Sequence, residues 1–345
     1  MSMKTNWTKL VALATLMIAL FFTTGCNDGN KPSSGDENPA HSSYTKKHDT
    51  ALLLVTFGST YDVPKATYEK QLNTFKKAFP NADAFFSYTS RTIINREQVK
   101  NKSFFPPQLW LKSFLKNHYK KVYVQSLHVI PGEEYTLLRD AYVKKEYNVQ
   151  LVDDRQGRED AVLGTPLLYD DASIERVAKI LVKTFEKELK AGEVVAFMGH
   201  GNPESDYDHA NIKYKQLEEQ LQKVAKANYN NGMIYVATVD YPKMLFDYLQ
   251  GELNALNLPK DKKIISLHPL MTIFGDHASN DMSGDETEED GKPIPLEDQS
   301  WMLQLQADGW KVKIAKRALG DYDEINQIFL DHLKMAIKQA KEDKE

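Results

Sequence analysis

The chain has 345 residues, of which 41% are hydrophobic and 27% charged, with a formal net charge of −4 at pH 7 and a single cysteine. That length carries one large or two medium domains. Lys and Arg are scattered and no basic stripe stands out, which excludes a nucleic-acid footprint, and one cysteine excludes an intrachain disulfide framework.

The first 25 residues read as a targeting segment rather than part of the fold. "MSMKTNWTKL" is a short polar region carrying Lys4 and Lys9, and "VALATLMIALFF" is an apolar run of 12 residues, right for a signal peptide and too short for a membrane span. Small residues in "TTGC" lead into Cys26, as in a bacterial lipoprotein signal. The expectation is cleavage before Cys26, lipidation of that residue and residence in the bacterial cell envelope. The alternative is an ordinary secretory signal with a chance cysteine. Cleavage removes two lysines and no acid, taking the net charge from −4 to −6. Residues 26–48, rich in Gly, Pro, Ser and Asn, read as a flexible tether. His41 and His48 lie within it.

The folded part alternates strands and helices. "TALLLVTFGS" reads as a buried strand, followed by a helix with Tyr68, Leu72, Phe75 and Phe79 at helical spacing. "NADAFFSYTS" is a second strand, "SFFPPQLWLKSFLKNHY" a helix with prolines in its first turn, "KKVYVQSLHVIPG" a third strand, "EEYTLLRDAYVKK" a helix and "YNVQLVDD" a fourth strand. The pattern then restarts: helix "SIERVAKILVKTFEKEL", strand "EVVAFMGHGN", helix "ANIKYKQLEEQLQKVAKA", strand "GMIYVATVD", helix "YPKMLFDYLQGELNAL", strand "KKIISLHPLMTIFG", helix "SWMLQLQADG", strand "WKVKIAKRAL" and a long terminal helix. Such alternation predicts an α/β fold of parallel sheets flanked by helices. The expected layout is an N-terminal domain over 49–165, a C-terminal domain over 166–320, and a helix over 321–345 that can return to the N-terminal domain. The halves share element order; residue identity does not demonstrate a repeat.

In open parallel sheets ligands bind beyond the carboxyl ends of the strands. Here those ends read "TFGST", "SYTSR", "SLHVIPGEEY", "FMGHGNPES", "VATVDYP" and "LMTIFGDHASND". They carry His128, His200 and His277. No zinc-finger or H-E-x-x-H spacing, no phosphate-binding P-loop, no G-x-G-x-x-G after a strand and no G-x-S-x-G elbow is present. Gly199 and Gly201 flank His200, letting the backbone turn tightly and a large ligand approach. The bland alternative is a histidine bonding a loop carbonyl. Asp276 or Asp281 could orient the His277 ring. His128, amid apolar residues, reads as a core histidine. Glu133 and Glu134 open a helix after a glycine turn, where one acid can simply complement the helix dipole. A glutamate facing two histidines would make a set suited to Fe²⁺, Co²⁺ or Zn²⁺ with open coordination positions.

"LLLVTFGSTY", "SYTSRTIINR", "VQSLHVIPGEEY", "FMGHGNPE", "LHPLMTIFGDHASNDMSGDE" and "SWMLQLQADG", in that order from about Ala51 to His332, resemble the anaerobic-type sirohydrochlorin cobalt chelatases. These are class II chelatases with a ferrochelatase-like fold. The resemblance implies two Rossmann-like domains with the active site in the cleft between them. It implies metal binding by His200, His277 and Glu134, with His200 and Glu134 also moving protons. Gly199, Gly201 and a candidate rim cation, Arg91, would lie along the tetrapyrrole. The implied metal is Co²⁺, with Fe²⁺ or Zn²⁺ as alternatives, and the implied reaction is insertion into sirohydrochlorin with release of two pyrrole protons. Two segments depart from the family pattern: "NPESDYDHAN" after the first motif, and "TEEDGKPIPLEDQ" after "GDE". Both add negative charge near the proposed ligands.

Three readings follow: a lipid-anchored chelatase, an envelope haem- or tetrapyrrole-binding or metal-removing lipoprotein using the same cleft, or a divalent-metal-binding lipoprotein without tetrapyrrole. The sequence leaves the oligomeric state open.

Overall fold

Strand β1 (Thr50–Thr56) sits in the middle of a four-stranded parallel sheet with β2 (Ala82–Tyr88), β3 (Lys121–Ser126) and β4 (Asp160–Gly164), in the order β2-β1-β3-β4. The computed structural model describes residues 38–60, 63–99, 104–147, 160–289 and 292–342. The expected targeting segment, Cys26 and the tether as far as residue 37 lie outside the described residues. A second parallel sheet contains β5 (Val194–Gly199), β6 (Ile234–Thr238) and β7 (Ile264–Pro269). A two-residue ribbon, β8 (Glu288–Glu289) with β9 (Lys292–Pro293), precedes its last strand, β10 (Lys311–Ile314). Read from one edge its order is β6-β5-β7-β10. Each sheet therefore has its first strand flanked by its second and third, with the fourth outside the third. The repeat that residue identity could not establish exists as topology.

The period-two alternation of a strand explains why one core joins the sheets. Leu52 and Leu54 point from β1 into the same buried cluster as Val195 and Phe197 from β5. Ala51, Leu53 and Val55 face the opposite way, into aromatics Trp110, Phe114 and Tyr119, while Val194, Ala196 and Met198 face Phe246 and Trp301. Strands buried on both faces have to be apolar throughout, which is why "ALLLV" and "VVAFM" read so plainly.

Helices follow strands as the pattern predicts: α1 (Pro39–Ser42), α2 (Val63–Ala78), α3 (Arg91–Val99), α4 (Pro107–Lys116) and α5 (Glu133–Thr136) in the first half. Helix α5 continues as a π-helical stretch, Leu137–Val143. In the second half α6 (Asp171–Thr184) is capped by Asp170, whose carboxylate accepts from Ser173 N.

Four details differ from the sequence reading. Residues 38–48 are not part of a flexible tether, because the chain packs from Asn38 onward: Ala40 is fully buried, Tyr44 stacks edge-on to Phe85 at 4.7 Å, and His48 Nδ1 lies 2.8 Å from Asp83 Oδ1. The first sheet's fourth strand is "DAVLG" at Asp160–Gly164, whereas the expected "YNVQLVDD" falls outside the described residues apart from Tyr147, which ends a helix. Helix α3 follows β2 directly, where no helix was expected. Strand β7 stops at Pro269, so "LMTIF" is apolar because it is buried loop, not because it is extended.

The terminal helix α7 (Asp323–Glu342) packs against β3, β4, α2 and α6. Ile325, Ile328, Phe329 and Leu333 are fully buried, Gln71 donates to Asn326, and Ser173 bonds His332.

Candidate active site and metal centre

Because both sheets are parallel, their carboxyl-terminal edges concentrate loops at one end, and a cavity of about 360 Å³ opens there. Its wall draws on every strand end the sequence singled out except "SYTSR": Phe57 and Gly58 after β1, His128 and Ile130 after β3, His200 to Glu204 after β5, Asp240 after β6, and Leu270 to His277 after β7. Thr272 ties the two sheets together here, its hydroxyl donating to the Leu127 carbonyl.

His200 follows the last residue of β5. Its Nδ1–H donates to the Gly201 carbonyl at 2.7 Å, which leaves the Nε2 lone pair free. Gly201 permits this turn: its φ is +84°, and a Cβ there would stand 2.7 Å from Tyr241 N. Gly199 has a different use from the expected ligand approach. It ends β5 against the Tyr214 ring, 2.6 Å from where a Cβ would sit, and does not line the cavity.

His277 stands beside His200, with ring centroids 4.7 Å apart in an edge-on arrangement. Its Nδ1–H donates to Asp281 Oδ2 at 2.6 Å, one helical turn on, so its Nε2 is also free. Of the two carboxylates considered for that orienting role, Asp281 fills it. A histidine held through one ring nitrogen by a carbonyl or carboxylate presents the other as a metal ligand. The pair also shapes its own protonation. Burial, then the neighbouring His277, lowers the His200 pKa. Burial pulls His277 down as well, but the Asp281 hydrogen bond and charge outweigh it and leave His277 raised.

Asp240 was missed as a functional residue, although its strand end was on the short list. Its Oδ2 lies 3.7 Å from His200 Nε2, and its backbone N–H donates to the His200 carbonyl at 2.8 Å. The spacing suits one ion shared between two donors, since ligands about 2.1 Å from a metal at a tetrahedral angle stand about 3.4 Å apart. No signal in the sequence points to Asp240, because its closeness to His200 comes from β6 lying beside β5.

Glu134 lines the same cavity. Burial raises its carboxyl pKa; the Thr89 hydroxyl beside it pulls the other way and Glu133 adds to the rise. Glu133 is raised by burial and then by Glu204. Among the described residues, no three His, Cys, Asp or Glu side chains stand together at metal-holding distance. The two imidazoles are thus set as a pair, and further donors have to close in around an arriving ion.

Arg91 is exposed as the first residue of α3 and does not line the cavity; that helix contributes Ile93 instead. The described wall contains no Lys or Arg. It carries five carboxylates, Glu133, Glu134, Glu204, Asp240 and Asp276, set among apolar side chains such as Val129, Leu270 and Met271. His128 lines the wall with Nδ1 held by Ser126 and its pKa lowered by burial to about 4. Of the acidic insertion after His277, the described residues include the exposed strands β8 and β9, and none of them lines the wall.

Comparison with known proteins gives the family and the fold. The cobalt chelatase (CbiK) family model matches residues 50–338. The sirohydrochlorin cobaltochelatase CbiKC of Nitratidesulfovibrio vulgaris is 28% identical over 298 residues, covering 86% of this chain and 93% of that protein. The sirohydrochlorin cobaltochelatase of Salmonella typhimurium is 28% identical over 302 residues, covering 85% and 98%. The structure of SirB from Bacillus subtilis with Fe³⁺ superposes with a TM-score of 0.54 at 14% identity, covering 85% of this chain and 97% of that one, a likeness of fold. With two parallel sheets of like topology, paired histidines beyond the carboxyl ends of the second and a family match along nearly all of the folded part, the chain belongs to the cobalt chelatase (CbiK) family.

Proposed function

We propose that this protein inserts Co²⁺ into sirohydrochlorin or a closely related tetrapyrrole, at the cell envelope and anchored through a lipid on Cys26. The observation that carries the chemistry is the histidine pair: two imidazoles in contact, each with Nδ1 spent on a backbone or carboxylate acceptor and Nε2 left for a metal. Cobalt is here a substrate. His200 and His277 hold it, Asp240 is the nearest further donor, and open coordination positions receive the macrocycle nitrogens. A free tetrapyrrole loses two N–H protons as the ion enters, so the balanced reaction is M²⁺ plus the diprotic macrocycle giving the metal complex and two H⁺. The metal-bound histidines cannot take those protons while their Nε2 atoms are coordinated. Glu134, a carboxylate of raised pKa on the same wall, accepts them one at a time and passes each to solvent. Of the two roles the resemblance implies for Glu134, this keeps proton transfer and drops metal ligation.

The Cys26 anchor rests on the lipobox-like "TTGC". It predicts labelling of the wild type, and not of Cys26→Ser, by a fatty-acid probe in a bacterial host. Equal labelling of both would refute it.

A second reading, capture of a haem-like tetrapyrrole, is favoured by one observation: the described cleft wall carries five carboxylates and no cation, which suits a macrocycle with few acid groups. Anaerobic mixing of the protein with Co²⁺ and sirohydrochlorin, followed by absorbance, separates the two. Catalysed insertion that His200→Ala abolishes supports the chelatase. Tight haem binding without insertion into sirohydrochlorin supports capture.

A further inference from the structure

Superimposing the two sheets by topology pairs the residues at their strand ends. Thr56, Phe57 and Gly58 leave β1 as Gly199, His200 and Gly201 leave β5, and both trailing glycines have positive φ, +109° and +84°. The third strand of each sheet lies beside the first in the same register, Ser126 pairing with Val55 and Pro269 with Met198. Beyond it a helical start carries Glu134 in one half and His277 in the other, each running into a π-helical stretch. The metal ligand His200 therefore has a counterpart, and that counterpart is Phe57.

Phe57 is one of the few large hydrophobic side chains left open, 40% exposed, and it lines the cleft. Its ring centroid lies 6.2 Å from that of His200, with the planes 41° apart. It is not held there by core packing. Its backbone is fixed instead, since Ser90 N–H donates to the Phe57 carbonyl and Thr89 N–H to that of Thr56. An aromatic face kept open to water beside a metal site, on a rigid turn, stands ready for a flat apolar partner.

We infer that Phe57 is the stacking platform for the macrocycle, so that the first half of the molecule positions the ring face while the second half holds the metal over it. The assignment rests on the chelatase reading for the identity of the partner. Its geometry also constrains the step: a ring laid on Phe57 has its centre beside His200, where the ion is presented. Phe57 is a positioning residue, and it contributes no ligand and takes no proton.

The test uses the full soluble chain and two probes read separately, metal-free sirohydrochlorin alone and Co²⁺ alone. Phe57→Ala should weaken sirohydrochlorin binding about 10-fold and lose the shift of its main absorbance band that stacking gives the wild type, with Co²⁺ affinity unchanged. Phe57→Trp should restore binding and the shift. Phe57→His recreates the second half's residue in the first, and should tighten Co²⁺ binding while raising KM for the macrocycle. Unchanged macrocycle binding by Phe57→Ala overturns the inference, as does a wild type that binds no sirohydrochlorin. A wild type that binds the macrocycle through Phe57 and inserts no cobalt overturns the proposed reaction and supports the platform.

Discussion

The ends of the two sheets are built alike and furnished differently. Both end their first strand in a turn closed by a positive-φ glycine, and both follow their third strand with a helical start that passes into a π-helical stretch. The second sheet's end carries His200, Asp240 and His277; the first carries Phe57, Thr89 and Glu134. On the proposed reading, the difference teaches that one scaffold edge is divided between two tasks, holding a cation and handling a ring with its protons. π-helical stretches are rare and frequent at functional sites, and here they adjoin Glu134 in one half and His277 in the other.

The sharpest way to break this division is to remove a ligand. His277→Ala and His200→Ala should each lower Co²⁺ affinity by more than about 100-fold, beyond what loss of an orienting partner costs, by calorimetric titration. Retention of affinity in either would dissolve the metal half of the comparison. Glu134→Gln tests the other half: kcat for insertion should fall by about 10²- to 10⁴-fold, with Co²⁺ affinity unchanged. Equal losses of metal binding in Glu134→Gln and His277→Ala would make the two ends one site.

Asp281→Asn should be milder, about 10- to 100-fold in Co²⁺ affinity, with a diagnostic pH dependence. Metal needs the neutral imidazole. Asp281 holds His277 above its ordinary value, so affinity should climb as pH rises through that raised range. In Asp281→Asn the climb should move to lower pH; an unmoved profile would show that Asp281 does not set it.

The smallest effect concerns two buried histidines, His128 and His268. Burial lowers His128 to about 4 and His268 to about 3, from an ordinary 6.5. The unfolded chain takes these protons first as pH falls, so their contribution is complete above pH 6.5 and lost on acidification toward 4 and 3. His128→Gln and His268→Gln should each flatten the fall of Tm between pH 6.5 and 4.5, and identical slopes to the wild type would refute the linkage.

Much of this was legible in the sequence because it is local. Strands buried on both faces announce themselves as apolar runs, and "MGHG" and "GDHA" sit where a parallel sheet puts its ligands. What stayed hidden is lateral. Asp240 comes to His200 because β6 pairs with β5, a fact of sheet order that no spacing along the chain encodes. Arg91 was a reasonable cation at a strand end, but helix α3 begins on it and turns Ile93 to the cleft. The short strand Asp160–Gly164 has little more than Val162 to signal it, and the longer alternation upstream outcompeted it. Residues 38–48 look like a linker by composition, yet Tyr44 and His48 each find a specific partner, and two such contacts outweigh a polar average.

The terminal helix has a consequence for how the molecule comes into being. Asn326 bonds Gln71 across 255 positions, and His332 bonds Ser173 across 159. Contacts of such sequence separation carry a loop-closure cost that is met late in folding. The first sheet is made before this helix, so the surface of β3 and β4 that Asp323–Glu342 covers stays open until the helix has left the ribosome. The nascent protein is thus held short of its native state during synthesis.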